Sequence, residues 1–160
     1  QARPGDSIEV GGPGAPKLLP TDHDFYLVAG DMTALPAIGA NLAKLDSSAS
    51  GLVAIEVQDE ADTISLVAPE GVEVRWLVNP SPGARPDLLA DTLRHASIPA
   101  GRIAAWAAAE FEAMKRLRAL FRDELKLPKD SVYVSSYWKA GLVEDDHKVI
   151  KREDAESQPV

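Results

Sequence analysis

The sequence predicts an α/β fold with three layers, in which a parallel five-stranded sheet carries helices on both faces. Two observations lead to this prediction. Strand-like and helix-like segments alternate along the chain, as βαβ units require. Several of the strand-like segments are also nearly continuous apolar runs, which is typical of strands buried on both faces of a parallel sheet. The chain has 160 residues, of which 45% are hydrophobic, and this suits a single compact core.

The first half of the chain contributes three strands and one helix to this prediction. Residues 25–29 (FYLVA) form a continuous apolar run that ends at a Gly-Asp pair. A helix is predicted over residues 33–45, because apolar side chains recur there at helical spacing. The runs LVAIEV at residues 52–57 and VEVRWLV at residues 72–78 predict the second and third strands.

The second half contributes two helices and two strands. A Pro/Gly-rich loop over residues 79–86 precedes a helix predicted over residues 87–95. Residues 102–107 (RIAAWA) predict the fourth strand. A long amphipathic helix is predicted over residues 110–125, and a fifth strand over residues 131–137. The helix is expected to bury one stripe of apolar side chains: Phe111, Met114, Leu117, Leu120, Phe121 and Leu125.

The two ends differ from this central part. Residues 1–20 are dense in glycine and proline, and only residues 6–10 alternate as one strand would. A lone strand of this length is not stable, so the segment is either the edge of a sheet whose other strands lie elsewhere or a linker. Because the chain begins with Gln1 rather than Met, we expect it to be a piece of a longer protein. The main domain is expected over residues 21–142, followed by a charged tail over residues 143–160 that could form a helix.

Composition excludes several function classes. The chain has 17 basic and 25 acidic residues and a formal charge of −8, which argues against a nucleic-acid partner. It has no cysteine and no apolar run of the length a membrane span needs, so we expect no thiol chemistry and no membrane. His23, His95 and His147 lack metal-ligand spacing, so no metal site is expected. Ser135 and Ser136 have no triad pattern around them.

Candidate functional residues follow the strands, since parallel sheets bind ligands at the carboxyl ends of their strands. After the first strand come Gly30, Asp31, Thr33, Ala34 and Leu35. The glycine permits a sharp turn, and the start of the next helix offers N–H groups and a hydroxyl to a phosphate. The carboxylate would repel that phosphate, so an ordinary strand-to-helix turn is the alternative interpretation.

Two carboxylates follow the second strand. Asp59 and Glu60 occupy a position at which acidic side chains often bind ribose hydroxyls and disfavour an extra 2′-phosphate. This arrangement favours NADH over NADPH. A solvated acidic turn is the alternative.

The fourth and fifth strands end in further candidates. Ala108 and Ala109 are small enough for a flat ring to lie against the strand end, and Glu110 could cap the next helix or face a nicotinamide. Trp138 offers an area for stacking, and Lys139 offers a compact positive charge for an anionic ligand. Core packing of the aromatic residues is the alternative here.

Four motifs, in this order, resemble the siderophore-interacting protein family of flavin-dependent ferric-siderophore reductases. Pro4-Gly5-Asp6 through Gly12-Pro13-Gly14 resembles the end of that family's flavin-binding barrel and the linker after it. The turn from Ala29 to Ala37 (AGDMTALPA) resembles its nucleotide-domain signature. Trp106-Ala107-Ala108-Ala109-Glu110 resembles its Trp-Ala-Gly-Glu element, and Tyr137-Trp138-Lys139-x-Gly141 resembles its closing motif. The match extends over essentially the whole chain.

The resemblance implies a ferredoxin–NADP reductase-like nucleotide-binding domain that is preceded, in a cytoplasmic parent protein, by an N-terminal flavin-binding domain. The parent would pass electrons from NADH, NADPH or ferredoxin through FAD to iron in a ferric siderophore. By the same resemblance, residues 30–35 would line the nucleotide site, Glu110 would lie near the nicotinamide, and Lys139 with Trp138 would hold the anionic substrate. The chain alone is then expected to be inactive, because most FAD contacts would lie on the preceding domain.

Two residues depart from the family pattern. Ala109 stands where the family usually has glycine, so its methyl group is expected to crowd the approach of the nicotinamide. Lys139 stands where many members have arginine, which gives a point charge without bidentate reach. Two alternatives stay open: the nucleotide domain of another flavin reductase, and a non-enzymatic α/β module that uses residues 137–141 to bind a ligand.

Overall fold

The computed structural model describes residues 3, 5–7 and 17–157. Asp6 and Ser7 belong to no strand, and the rest of the strand predicted over residues 6–10 lies outside the described residues. The five strands are β1 (Phe25–Asp31), β2 (Ser50–Val57), β3 (Gly71–Val78), β4 (Ile103–Glu110) and β5 (Val132–Trp138). The α-helices are α1 (Leu35–Leu42), α2 (Leu88–Arg94), α3 (Phe111–Ala119) and α4 (Glu144–Ser157).

All five strands run parallel in the order β3-β2-β1-β4-β5. Because successive side chains of a strand point to opposite faces, the sheet builds two cores. One core packs under α2 and α3, and includes Leu27, Leu52, Leu93, Leu117 and Phe121. The other packs under α1, and includes Val28, Val53, Ile38, Leu42 and Trp106. The predicted three-layer parallel sheet is therefore confirmed.

Two central strands extend further than the sequence predicts. β1 continues through Gly30 to Asp31, and β4 continues through Ala109 to Glu110. Gly30 stays in the strand, where it pairs with Ile55 of β2 and Ala108 of β4, and α1 packs closely over it. A Cβ built on Gly30 would lie 2.7 Å from the Ala34 Cβ and 2.8 Å from the Ala108 carbonyl oxygen. The residues predicted to form two turns are thus the last residues of two buried strands.

Two helices also differ from their predicted bounds. The segment predicted as one helix over residues 33–45 begins as a 3-10 turn (Met32–Ala34), and α1 ends at Leu42. The helix predicted to reach residue 125 is α-helical only to Ala119 and continues as a π-helical segment (Leu120–Glu124). In that segment the Leu125 N–H donates to the Leu120 carbonyl at 2.9 Å, five residues back. Apolar periodicity does not distinguish this wider turn from an α-helix.

Candidate functional site

The candidate site is the carboxyl edge of the sheet, where the order of the strands reverses. β1 pairs with β2 on one side and with β4 on the other, although the chain visits β3 in between. The connections on the two sides of β1 therefore diverge and leave a crevice, which is where open α/β sheets bind ligands. Four strands each place one polar or aromatic residue at or next to their last position at this edge: Asp31, Glu56, Glu110 and Trp138.

Asp31 joins the ends of three strands through its carboxylate. One oxygen accepts from the Thr33 backbone N–H at 2.9 Å, and the Thr33 hydroxyl donates to the same oxygen. The other oxygen accepts from the Glu110 backbone N–H at 2.9 Å and from the Trp138 indole N–H at 2.8 Å. The side chain is buried, with 8% of its residue surface exposed. Both oxygens therefore accept from donors inside the protein, although Asp31 is also one of the residues that line the cleft at this edge.

Glu110 caps α3, which is one of the two roles the sequence allows. Its Oε2 accepts from the backbone N–H groups of Glu112 at 2.6 Å and Ala113 at 3.3 Å. Its Oε1 accepts from the Ala140 N–H at 3.1 Å, which ties the segment after β5 to the start of the helix. Both carboxylate oxygens of this buried residue are thus occupied, and Glu110 fixes the shape of the strand end.

Glu56, which the sequence analysis did not single out, is the third buried carboxylate at this edge. Its Oε1 accepts from the side-chain amide of Asn79 at 2.8 Å. Burial raises the pKa of the Glu56 carboxyl above its ordinary value, and the negative charges of Asp31 and Glu110 raise it further. The bond from Asn79 and the charge of Arg85 act in the opposite direction. The signal available in the sequence is a lone acidic residue inside an otherwise apolar buried strand.

A small cleft of about 60 Å³ opens between the ends of β1, β2 and β5. Its walls include Thr33, Glu56, Gln58, Pro82 and Trp138. The loop after β3 closes one side of this cleft. Its Gly83 has φ +79°, and a Cβ there would lie 3.6 Å from the Glu110 Cγ and 3.7 Å from the Trp138 ring. A glycine therefore allows this loop to cross the strand ends closely.

Lys139 lies beside the cleft and is held on two sides. Its Nζ donates to the Glu112 carboxylate at 3.1 Å and lies 4.2 Å from the centroid of the Phe111 ring. The hydrogen bond from Lys139 lowers the pKa of Glu112, and a second bond from Lys115 adds to this effect. With 22% of its side chain exposed, the ammonium is oriented but still reachable from solvent.

The remaining predicted site residues do not all reach this cleft with their side chains. Thr33 is exposed and Leu35 half-buried, whereas the side chains of Ala34, Ala108 and Ala109 are buried in the core. These three alanines can affect a ligand only through the shape of the strand ends.

Asp59 and Glu60 are exposed on the turn after β2. Asp59 accepts from the Ala61 N–H, and Asp62 accepts from the Asp59 N–H, which makes a capping box for a short 3-10 turn. Neither side chain is part of the cleft wall.

The helix α4 packs beside β5, close to this edge. The His147 Nε2 lies 2.9 Å from the Ser136 hydroxyl, and the Lys151 Nζ donates to the Ser135 hydroxyl and the Ser136 carbonyl at 2.8 Å each. His147 is buried although it lies in a highly charged segment. The sequence offers little signal for this contact, because the helix is polar almost throughout.

This contact predicts a pH-dependent stability. Burial lowers the pKa of His147 below its ordinary value of 6.5, and the charge of Lys151 lowers it further. As the pH falls below about 6.5, the unfolded chain takes up a proton that the folded chain resists, so stability is lost. We expect the urea midpoint of the wild type to fall more between neutral and mildly acidic pH than that of His147→Gln. An equal fall in both proteins would show that His147 does not contribute.

Two further features concern the described residues as a whole. Within residues 3, 5–7 and 17–157, no three His, Asp or Glu side chains converge as a metal-binding group would. Among the helices in this part of the chain, none combines the length and the apolar character that crossing a membrane takes.

Comparison with known proteins gives consistent matches. The family model described as "Siderophore-interacting protein" matches residues 23–141. Ferric vibriobactin reductase ViuB of Vibrio cholerae serotype O1 is 35% identical over 147 residues, which cover 91% of this chain and 54% of that protein. NADPH-dependent ferric-chelate reductase of Escherichia coli K12 is 30% identical over 88% of this chain and 54% of its own length.

A solved structure of a siderophore-interacting protein also matches most of this chain. The siderophore-interacting protein SipS from Aeromonas hydrophila superposes with a TM-score of 0.80 at 29% identity, over 91% of this chain and 57% of that one. The chain thus spans about half the length of the relatives it matches.

Proposed function

Since this chain belongs to the siderophore-interacting protein family, we propose that it is the NAD(P)H-binding half of a flavin-dependent ferric-siderophore reductase. The parent protein would release iron by reducing it from the ferric to the ferrous state, which most siderophores hold far less tightly. The observation that carries the proposal is the crevice at the carboxyl edge, where β1 and β4 end beside an oriented lysine.

The carboxyl edge offers a cleft for one part of a nicotinamide nucleotide and a positive charge beside it. The Asp31 carboxylate accepts hydrogen bonds from the Glu110 N–H and the Trp138 indole, which reduces its repulsion of a phosphate without removing it. Thr33 and Trp138 line the cleft, and the Thr33 hydroxyl and the Trp138 indole N–H donate to Asp31. Arg85, which is exposed and forms no ion pair within residues 17–157, lies near enough to lower the pKa of Glu56. It supplies a positive charge for a phosphate.

The chain's own residues would have positioning and electrostatic roles. Glu110 holds the start of α3 and the segment after β5 in place, and Asp31 holds the ends of β1, β4 and β5 together. Lys139 would attract the anionic ferric complex to this edge. FAD, when bound, supplies the electron transfer between nicotinamide and iron. We propose that FAD is held mainly by an N-terminal flavin-binding domain of a cytoplasmic parent.

The test is an assay of the full-length parent protein. Its visible absorbance should show bound flavin, and NADH, NADPH or reduced ferredoxin should drive release of ferrous iron from a ferric siderophore into a ferrous chelator. A parent without flavin would refute the proposal. Flavin without ferric-siderophore reduction would favour another flavin reductase.

Lys139 gives a prediction for substrate binding in the same assay. Replacing Lys139 with glutamine removes the oriented positive charge, so we expect KM for the ferric siderophore to rise about tenfold with little change in kcat. Lys115→Gln is the matched control, because Lys115 donates to the same Glu112 carboxylate at 3.2 Å and is about half exposed. Equal effects of the two substitutions on KM would contradict the role assigned to Lys139.

A further inference from the structure

The three buried carboxylates at the carboxyl edge differ in how many of their oxygens are occupied. Asp31 and Glu110 each use both oxygens to accept hydrogen bonds from N–H groups. Glu56 uses only Oε1, which accepts from Asn79. Its Oε2 accepts no hydrogen bond from any residue in the described part of the chain, although 92% of the residue's surface is buried. Among the described residues the one fully buried side-chain N or O atom without a partner is the Arg122 Nε, so the Glu56 Oε2 is open to solvent and free to accept a hydrogen bond from a ligand.

The residue that carries this free oxygen belongs to the wall of the cleft. Glu56 lines it together with Thr33, Gln58, Pro82 and Trp138. The volume of about 60 Å³ admits a group of a few atoms and not a whole nucleotide. Glu56 also has little freedom to turn away, since Asn79 is itself buried and holds Oε1 at 2.8 Å. The site therefore presents one fixed acceptor to a small group that enters the cleft.

The charges around Glu56 select the kind of group that can enter. Asp31 and Glu110 are close enough for their negative charges to raise its pKa. A phosphate or carboxylate would meet this negative potential at close range, whereas a neutral O–H or N–H donor would be attracted to the free oxygen. The cleft thus suits an uncharged hydrogen-bond donor.

We propose that Glu56, oriented by Asn79, is the acceptor that binds an uncharged donor group of the nicotinamide nucleotide, either a ribose hydroxyl or the carboxamide N–H. This inference rests on the proposed function, since it assumes that the nucleotide binds at the carboxyl edge. The sequence suggests Asp59 and Glu60 as the acidic residues that bind a ribose. The inference assigns such a contact instead to Glu56, which is buried in β2 just before them.

The test compares nucleotide binding by the wild-type chain and by Glu56→Gln in calorimetric titrations with NADH. Glutamine keeps the size of the side chain but loses the charged acceptor, so we expect NADH affinity to fall by about tenfold or more. Glu70→Gln is the matched control, because it removes the same charge from an exposed turn at the opposite end of the sheet. Asn79→Ser provides a second variant that keeps Glu56 but removes its anchor, and a smaller loss of about threefold is expected.

Titrations with the two halves of the nucleotide identify the donor group. A loss confined to AMP assigns the ribose of the adenosine half, and a loss confined to reduced nicotinamide mononucleotide assigns the nicotinamide half. If Glu56→Gln binds NADH as tightly as Glu70→Gln, or more tightly, the inference is wrong while the proposed function stands. If the wild-type chain binds neither NADH nor NADPH, the proposed function fails and this inference fails with it.

Discussion

Replacing Asp31 with alanine is expected to lower the free energy of unfolding by about 3–5 kcal/mol, because it leaves three N–H donors without their acceptor. Two of these donors, the Glu110 backbone N–H and the Trp138 indole N–H, belong to strands that are far away in the sequence. Since all three strand ends are held by one carboxylate, the loss should affect the whole carboxyl edge. Urea denaturation followed by circular dichroism measures the change.

Asp46→Ala is the matched control for this substitution. Asp46 makes the same local contacts as Asp31, since it accepts from the backbone N–H and the hydroxyl of Ser48 two residues later. It is exposed and makes no long-range bond of this kind. We expect its replacement to cost much less stability than that of Asp31, because water can take over the contacts of an exposed carboxylate. Similar losses for the two variants would mean that the long-range bonds of Asp31 contribute little.

Replacing Gly30 with alanine is expected to cost about 3 kcal/mol, since the added methyl has no room. Its Cβ would lie 2.7 Å from the Ala34 Cβ, 2.8 Å from the Ala108 carbonyl oxygen and 3.0 Å from Ile38. The first two of these neighbours are a short side chain and backbone in the buried core, so neither can move aside without shifting α1 or β4. The change is measured by urea denaturation under the same conditions.

Gly39→Ala tests whether this cost comes from crowding. Gly39 lies inside α1, and a Cβ there would meet no atom within 4 Å. Alanine is the better helix former, so this variant should gain about 0.5–1 kcal/mol. A loss of stability at Gly39, or none at Gly30, would contradict the packing described for α1 on β1.

The sequence predicts the parallel sheet well because its strands are buried on both faces. Residues 25–29 and 52–57 have little polar interruption, so few other structures could bury them. The limits of the elements are harder to predict. Gly30 suggests a turn in the sequence, but it pairs with strands on both sides of β1, and it is a glycine because the packing leaves no room for a side chain.

The candidate site could be predicted only in part. The sequence identifies Asp31, Glu110 and Lys139 as residues at strand ends, and the structure brings all three to one edge. It does not reveal that the two carboxylates point inward, because their donors come from segments up to 107 residues away. The sequence does not identify Glu56 as a site residue, because its orientation depends on a hydrogen bond from Asn79, 23 residues further along the chain.

The central claim is that the nicotinamide nucleotide binds at the carboxyl edge of the sheet, beside Trp138. The chain has three tryptophans, so an ¹H–¹⁵N spectrum contains three indole N–H signals, and Trp138→Phe identifies one of them. The Trp138 indole donates to Asp31 at this edge, whereas the Trp106 indole donates to the Lys17 carbonyl beside the core under α1. On titration with NADH we expect the Trp138 signal to shift and the Trp106 signal to stay in place. A Trp138 signal that does not move at saturating NADH, or a shift at Trp106 instead, would contradict the account.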